Sequence, residues 1–255
     1  MRSLYILLIN LCFVFVCSAS DEYDGEAFSK ALEKKAEQGD AESQMKLSKC
    51  YMFAKGVSRN YEKCAYWCTK AANQNIAESQ YGLGILYEHG QGVEQDPKKA
   101  AEWVQKAAEQ GLDSAQSQLG YYYFSGSGVP WDSDKAIYWL RKASQQNDSD
   151  AMWLLGIVLI SQDMFKDKNQ KELKSRHDEA LKWFKKSAEA GNPKSQSWLG
   201  SFYHSGEIIG KDIKLAKKWL LKAAEQGDET AKNILNTIAE EEANQPKKRT
   251  VQNGH

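Results

Sequence analysis

The sequence predicts an all-α solenoid of about five two-helix repeats, and three sets of residues in common register predict it. Trp67, Trp103 and Trp139 are 36 residues apart, and so are Trp183 and Trp219. Gly56, Gly92 and Gly128 keep the same interval, each just before a valine at Val57, Val93 and Val129. Ala71, Ala107, Ala143 and Ala223 stand four residues after their tryptophans, with Ser187 as the exception. A fixed period of roughly 20–50 residues, held by several residue types at once, is the signature of stacked supersecondary units.

Composition agrees with a soluble helical chain. Of 255 residues, 42% are hydrophobic, 27% are charged and only 4 are proline. Lys+Arg and Asp+Glu both number 34, so the formal charge is zero. A nucleic-acid binder carries a basic excess, and that class is set aside.

Residues 1–20 read as a secretory signal. Met1-Arg2 brings one positive charge, Leu4 to Val16 is apolar, and Ser18-Ala19-Ser20 offers small residues for cleavage. The apolar run of 13 residues is short of the roughly 20 needed to span a bilayer. The expectation is export to a periplasm or the exterior, with no membrane span after cleavage. Cys12 and Cys17 leave with the signal, and Cys50, Cys64 and Cys68 remain.

Residues 21–40 are expected to hold a capping helix, a lone second helix over Ala27 to Gly39. Full repeats follow at about 41–76, 77–112, 113–148, 149–192 and 193–228. The second shows the unit best. Its first helix opens at Ala77 and carries Leu83, Leu86 and Tyr87 on one face. Gly82 and Gly84 are poor helix formers, which predicts close approach of a neighbouring helix. Gly84, Gly120, Gly156 and Gly200 share that place, which Ser48 takes in the first copy. Gly90-Gln91-Gly92-Val93 turns the chain. Asp96 and Pro97 start the second helix, whose packing stripe is Ala100, Trp103 and Ala107, and Gly111 ends it. The repeat tryptophans are read as core wedges.

The fourth copy breaks the period. Trp183 lies 44 residues after Trp139, and the eight extra residues fall between Ser161 and His177. Lys166, Lys168, Lys171, Lys174 and Arg176 make this stretch basic, as either a binding loop or a solvated extension of both helices. A lone first helix over 229–240 closes the array, and 241–255, with Pro246 and Lys247-Lys248-Arg249, reads as a disordered tail.

Leu83-Gly84-Ile85-Leu86-Tyr87, Gly90-Gln91-Gly92-Val93, Lys99-Ala100-Ala101-Glu102-Trp103 and Lys106-Ala107-Ala108-Glu109-Gln110-Gly111 resemble the Sel-1-like repeat, a relative of the tetratricopeptide repeat. The resemblance covers about residues 27 to 240. The first copy departs from it with Ser48, Ala54 and Cys64, and the fourth lacks the Gly-x-Gly-Val turn. It implies a right-handed α-solenoid with a half-repeat cap at each end. It also implies a non-catalytic module that binds a protein or peptide. Exported bacterial members act in envelope assembly, in host interaction, or as periplasmic immunity proteins against secreted toxins. Some cysteine-rich relatives carry a beta-lactamase label, so the alternatives are a cell-wall-active or beta-lactamase-like hydrolase, or a structural adaptor in envelope assembly or host interaction.

In such units, positions two, five, nine and twelve of the first helix face the concave surface. Here they include Tyr81, Ile85, Tyr121, Phe124, Trp153, Ile157 and Ile160, and in the fifth unit Lys194, Ser197, Ser201 and His204. The apolar, aromatic set is either a partner groove or packing against the preceding unit.

No catalytic constellation stands out. Ser43-Gln44-Met45-Lys46 matches Ser-x-x-Lys, but Ser-Asp-Asn and Lys-Thr-Gly are missing. His89 and His204 are too distant in a solenoid to share a metal, and no metal or cofactor is expected. Cys50 and Cys64 take the places of Leu86 and Ala100, which face each other across one helix pair. They either form a disulfide, for which Cys68 competes, or remain buried thiols.

Overall fold

Most helices begin where a short polar side chain accepts from their unpaired first N–H groups. Ser29 accepts from Leu32, Asp40 from Ser43, Asn60 from Lys63, Asn192 from Ser195, Asp212 from Leu215 and Asp228 from Ala231, all at 2.7–3.1 Å. The computed structural model describes residues 25–161 and 170–244, and twelve helices with no strand occur among them. They are α1 (Lys30–Glu37), α2 (Ala41–Phe53), α3 (Tyr61–Asn73), α4 (Ala77–His89), α5 (Pro97–Glu109), α6 (Asp113–Ser125), α7 (Ser133–Gln145), α8 (Ser149–Ser161), α9 (Gln170–Glu189), α10 (Pro193–Ser205), α11 (Ile213–Glu225) and α12 (Glu229–Ala243).

Two units divide the chain. One runs to Asp96 and holds α1 to α4, and the other starts at Pro97 and holds α5 to α12. In both, the hairpin turns close alike. The N–H of Asn60 donates to the carbonyl of Tyr51, Asp96 to Tyr87, Asp132 to Tyr123 and Asp212 to Tyr203, at 2.8–3.0 Å. First helices end in a left-handed residue, Gly90, Gly126 or Gly206. In the first copy Ala54 takes that conformation at φ 58°.

The expected close approach is present where the first helix crosses its partner. A Cβ on Gly120 would stand 2.6 Å from Leu140, on Gly156 2.7 Å from Phe184, and on Gly200 2.5 Å from Leu220. These three partners are fully buried. Gly82 is different, because a Cβ there would rest 3.5 Å from the Cys68 sulfur, an ordinary contact. Its glycine is not required by packing. The second glycine of the turn meets the preceding repeat: a Cβ on Gly92 would overlap the Tyr61 carbonyl, and one on Gly128 the Pro97 carbonyl.

The wedge is therefore the residue after each tryptophan. Val104, Leu140, Phe184 and Leu220 are wholly buried and Cys68 nearly so. Trp67 is buried at 9% exposure, whereas Trp103, Trp139, Trp183 and Trp219 are half-buried. Lysines at i+3 cover their open faces, at 3.8 Å for Lys106 on Trp103 and 5.0 Å for Lys186 on Trp183.

Several boundaries differ from expectation. The capping helix α1 starts at Lys30 rather than Ala27, because Ser29 caps it and the Phe28 N–H is committed to the Lys55 carbonyl at 3.0 Å. At the other end, α12 continues to Ala243, into the stretch expected to be a tail. In the fourth copy the insertion lengthens the second helix: α9 has 20 residues where α7 has 13. Lys171, Lys174 and Arg176 lie on that extension. Residues 1–24, with the signal, 162–169, with Lys166 and Lys168, and 245–255 lie outside the described residues.

Two substitutions test this packing by urea denaturation. Gly120→Ala is expected to cost about 1–3 kcal/mol, because Leu140 has no room to move, whereas Gly82→Ala raises stability by up to about 1 kcal/mol. Ala54→Gly relieves a left-handed alanine and is expected to stabilise by about 1 kcal/mol.

Candidate partner-binding surface

The first helices are held in place by a polar stitch. Gln44 donates its side-chain amide to the Ala36 carbonyl, Gln80 to Ala72, Gln116 to Ala108 and Gln196 to Ala188, at 3.0–3.3 Å. Each joins a first helix to a carbonyl at the end of the preceding second helix, a carbonyl that also accepts a backbone N–H from Gly39, Asn75, Gly111 or Gly191 at 3.0–3.1 Å. The amide of Gln74 then reaches the Gln44 side-chain oxygen and the Gly39 carbonyl. Gln146 does the same with Gln116 and Gly111, and Gln226 with Gln196 and Gly191. Sequence reasoning missed these residues, though Ala-Glu-Ser-Gln at 41–44 and again at 77–80 was the signal.

The fourth copy lacks the stitch, since Met152 stands in the glutamine's place and is buried. There Ser187 donates to the Ser149 carbonyl at 2.7 Å, Ser195 pairs with Ser187 at 2.6 Å, and Asn192 donates to Asp150 at 2.9 Å. Helix α8 is apolar almost all round, and most of its residues are buried.

The expected groove residues divide accordingly. In the first unit, Tyr81 and Ile85 on α4 are half-buried. In the second, Tyr121 and Phe124 on α6 and Ile157 on α8 are half-buried too. Trp153 and Ile160 are buried, at 3% and 7% exposure, so they belong to the core more than to an open surface. Lys194 lies over the Trp153 ring at 4.6 Å. Ser197 donates to Asp228 at 3.1 Å, and His204 meets Glu241 at 3.2 Å, tying α10 to the end helix α12.

Acidic groups crowd the start of α8. Asp148 caps it, accepting from the N–H groups of Asp150 and Ala151 at 2.9 and 3.0 Å. Burial pushes its carboxyl above the usual aspartate value. The two N–H bonds oppose that shift, and the charges of Asp150 and Asp113 add to it. A carboxyl raised in this way costs stability when ionised above its folded pKa and nothing once protonated below its unfolded one. Asp148→Asn keeps the cap, so it is expected to raise the unfolding midpoint at neutral pH. That gain disappears below the ordinary aspartate range.

Among the described residues no cysteine is bridged: of the two alternatives for Cys50 and Cys64, the structure shows buried thiols rather than a disulfide. All three are free and buried. Cys50 points its thiol at the Glu26 carbonyl, 3.3 Å away, and Cys68 at the Ser79 carbonyl, 3.1 Å away. Burial pushes the Cys64 thiol up to about 12 and raises Cys50 and Cys68 as well. Thiols held protonated are poor nucleophiles. Ser43 and Lys46 have structural work: Ser43 hydrogen-bonds Asp40, holding its carboxyl below the usual value, and Lys46 pairs with Glu42 at 2.9 Å.

Comparison with known families matches the Sel1 repeat at 41–76, 77–112, 113–148, 149–192 and 193–228. The chain belongs to the Sel1 repeat family. Sel1 repeat proteins mediate protein–protein interaction. A protective antigen of uropathogenic Escherichia coli is similar at 33% identity and a TM-score of 0.72, over 82% of this chain and 44% of that one. A Sel1 repeat protein from Oxalobacter formigenes is similar at 28% identity and a TM-score of 0.70, over 79% and 77%. The chitin synthase regulator of Saccharomyces cerevisiae is 41% identical over 58 residues, 23% of this chain and 8% of the regulator. The Sel1 chain thus spans less than half of the antigen and a small part of the regulator.

Proposed function

We propose that this Sel1 chain is an exported, non-catalytic binding module that holds a protein or peptide segment along the first helices of its second unit. One observation carries the reading. Tyr121, Phe124 and Ile157 remain half-exposed on those helices, at positions where polar residues would fold as well. Exposed aromatic and aliphatic side chains on a rigid helical scaffold supply contact area at little ordering cost. Export rests on the first twenty residues, with their positive start, apolar run and small-residue end. Capture of a toxin, as an immunity protein would achieve it, is one form of this binding.

Trp153 is a poor choice for testing the surface, because truncating a buried tryptophan costs about 3–5 kcal/mol. Tyr121→Ala combined with Ile157→Ala removes the half-exposed anchors instead. In affinity capture from the native envelope, the wild type is expected to retain a protein partner that this variant loses, with helical circular dichroism unchanged. Equal recovery of the same partner by both proteins overturns the assignment.

A further inference from the structure

The indole N–H of Trp153 is buried and has no hydrogen-bond acceptor among the described residues. The hydroxyls of Ser79 and Ser144 share that condition, but a helical serine can rotate toward a carbonyl of its own preceding turn. An indole N–H is fixed to its ring. A buried donor left unpaired costs about 1–3 kcal/mol, which an acceptor arriving from outside would recover.

Lys194 is the second observation. Its ammonium sits 4.6 Å from the centre of the Trp153 ring and makes no hydrogen bond or ion pair among the described residues. The lysine–tryptophan contacts of the second helices are different: they join residues of one helix, over half-buried rings. This contact joins α10 to α8 over a buried ring. Position two of the first helix is Glu42, Glu78, Ser114 and Asp150 in the other copies, so Lys194 reverses the charge. Asp150, one turn before Trp153, is the natural anion for Lys194, yet it accepts from Asn192 at 2.9 Å.

An indole N–H and an ammonium over the same ring are the two donors that a carboxylate can bridge with its two oxygens. We propose that Trp153 and Lys194 bind a side-chain carboxylate, Asp or Glu, of the partner segment. This rests on the binding surface argued above and names the chemistry of what it holds. Lys194 swings from the ring face to its edge as the carboxylate enters. A side chain is favoured over a chain terminus because half-buried first-helix positions lie on α6, at Tyr121, and on α10, at Ser201 and His204, as well as near Trp153 on α8. A segment that ended at Trp153 would leave one of those helices uncovered.

The test follows the indole N–H resonances of the full chain by NMR, with the Trp153 signal identified by its loss in Trp153→Phe. Three probes are titrated to about 10 mM, where millimolar binding still registers. They are acetyl-Ala-Leu-Glu-Leu-Ala-amide, its Gln counterpart, and acetyl-Ala-Leu-Leu-Ala with a free C-terminus. The Glu peptide is expected to shift the Trp153 signal saturably. The Gln peptide, or the Glu peptide with Lys194→Met, should bind about 10-fold more weakly. An unmoved Trp153 signal, equal response to the Glu and Gln peptides, or response only to the free C-terminus overturns the proposal. If peptides perturb Tyr121 and Ile157 while Trp153 stays still, the binding surface stands and the carboxylate assignment falls. Failure of the surface itself is read separately, from unchanged partner capture by the Tyr121→Ala, Ile157→Ala variant.

Discussion

The distance at which two helices cross at a glycine governs the rest of this fold. With no Cβ on Gly120, Gly156 or Gly200, the facing helix can lay Leu140, Phe184 or Leu220 directly on the backbone. Those side chains then fill the crossing and are sealed from water. The larger Phe184 reaches onward to Trp198 and Phe202, with ring centres 6.0 and 5.6 Å apart. In the first copy both partners change: Ser48 replaces the glycine and Cys68 the wedge, so one side gains bulk where the other sheds it. Cys50 and Cys64 sit in the places of Leu86 and Ala100, equally buried. The thiols of that copy are therefore small core residues, and burial keeps them protonated.

A polar bond adds to this packing between repeats. Gln44, Gln80, Gln116 and Gln196 each donate to a carbonyl at the end of the preceding second helix, one that also accepts a backbone N–H. The fourth copy has no such amide to the preceding second helix; its polar bonds, from Ser187, Ser195 and Asn192, tie α8, α9 and α10 together instead. It also loses the glycine turn and lengthens its second helix. The turn of the fifth copy then has Ile208 where Gly92 and Gly128 meet a preceding helix start, and its φ is not left-handed. Changes in one repeat thus alter the residue its neighbour needs.

The sequence period made the helix pairs, the turns and the glycine crossing legible, because each is imposed by local geometry repeated in register. What it could not separate was adjacent positions with similar chemistry. Trp139 looked like the wedge, but Leu140, one residue on, fills it, since a period locates a face only to within one residue. Gly82 looked as necessary as Gly84 because composition does not reveal what a side chain would meet. Cys50 and Cys64 were placed across one helix pair by register, yet register does not say where a thiol points. The glutamine stitch went unseen because its partners are carbonyls, which leave no mark in a sequence.

The candidate surface was the least legible part, for a physical reason. Helical position says which side chains leave the core of their own repeat, not which ones the next repeat covers. Tyr121 and Ile157 stay half-open, while Trp153 is covered by Lys194 from the following repeat. A lysine is a weak cover. Its ammonium favours water or an anion over a ring face, and its long stem can move without disturbing the backbone. Placing such a side chain over the ring of a tryptophan whose N–H is unpaired among the described residues leaves a contact that an anion can displace. The repeat supplies the scaffold, and the departures from it at 153 and 194 supply the chemistry that a partner would recognise.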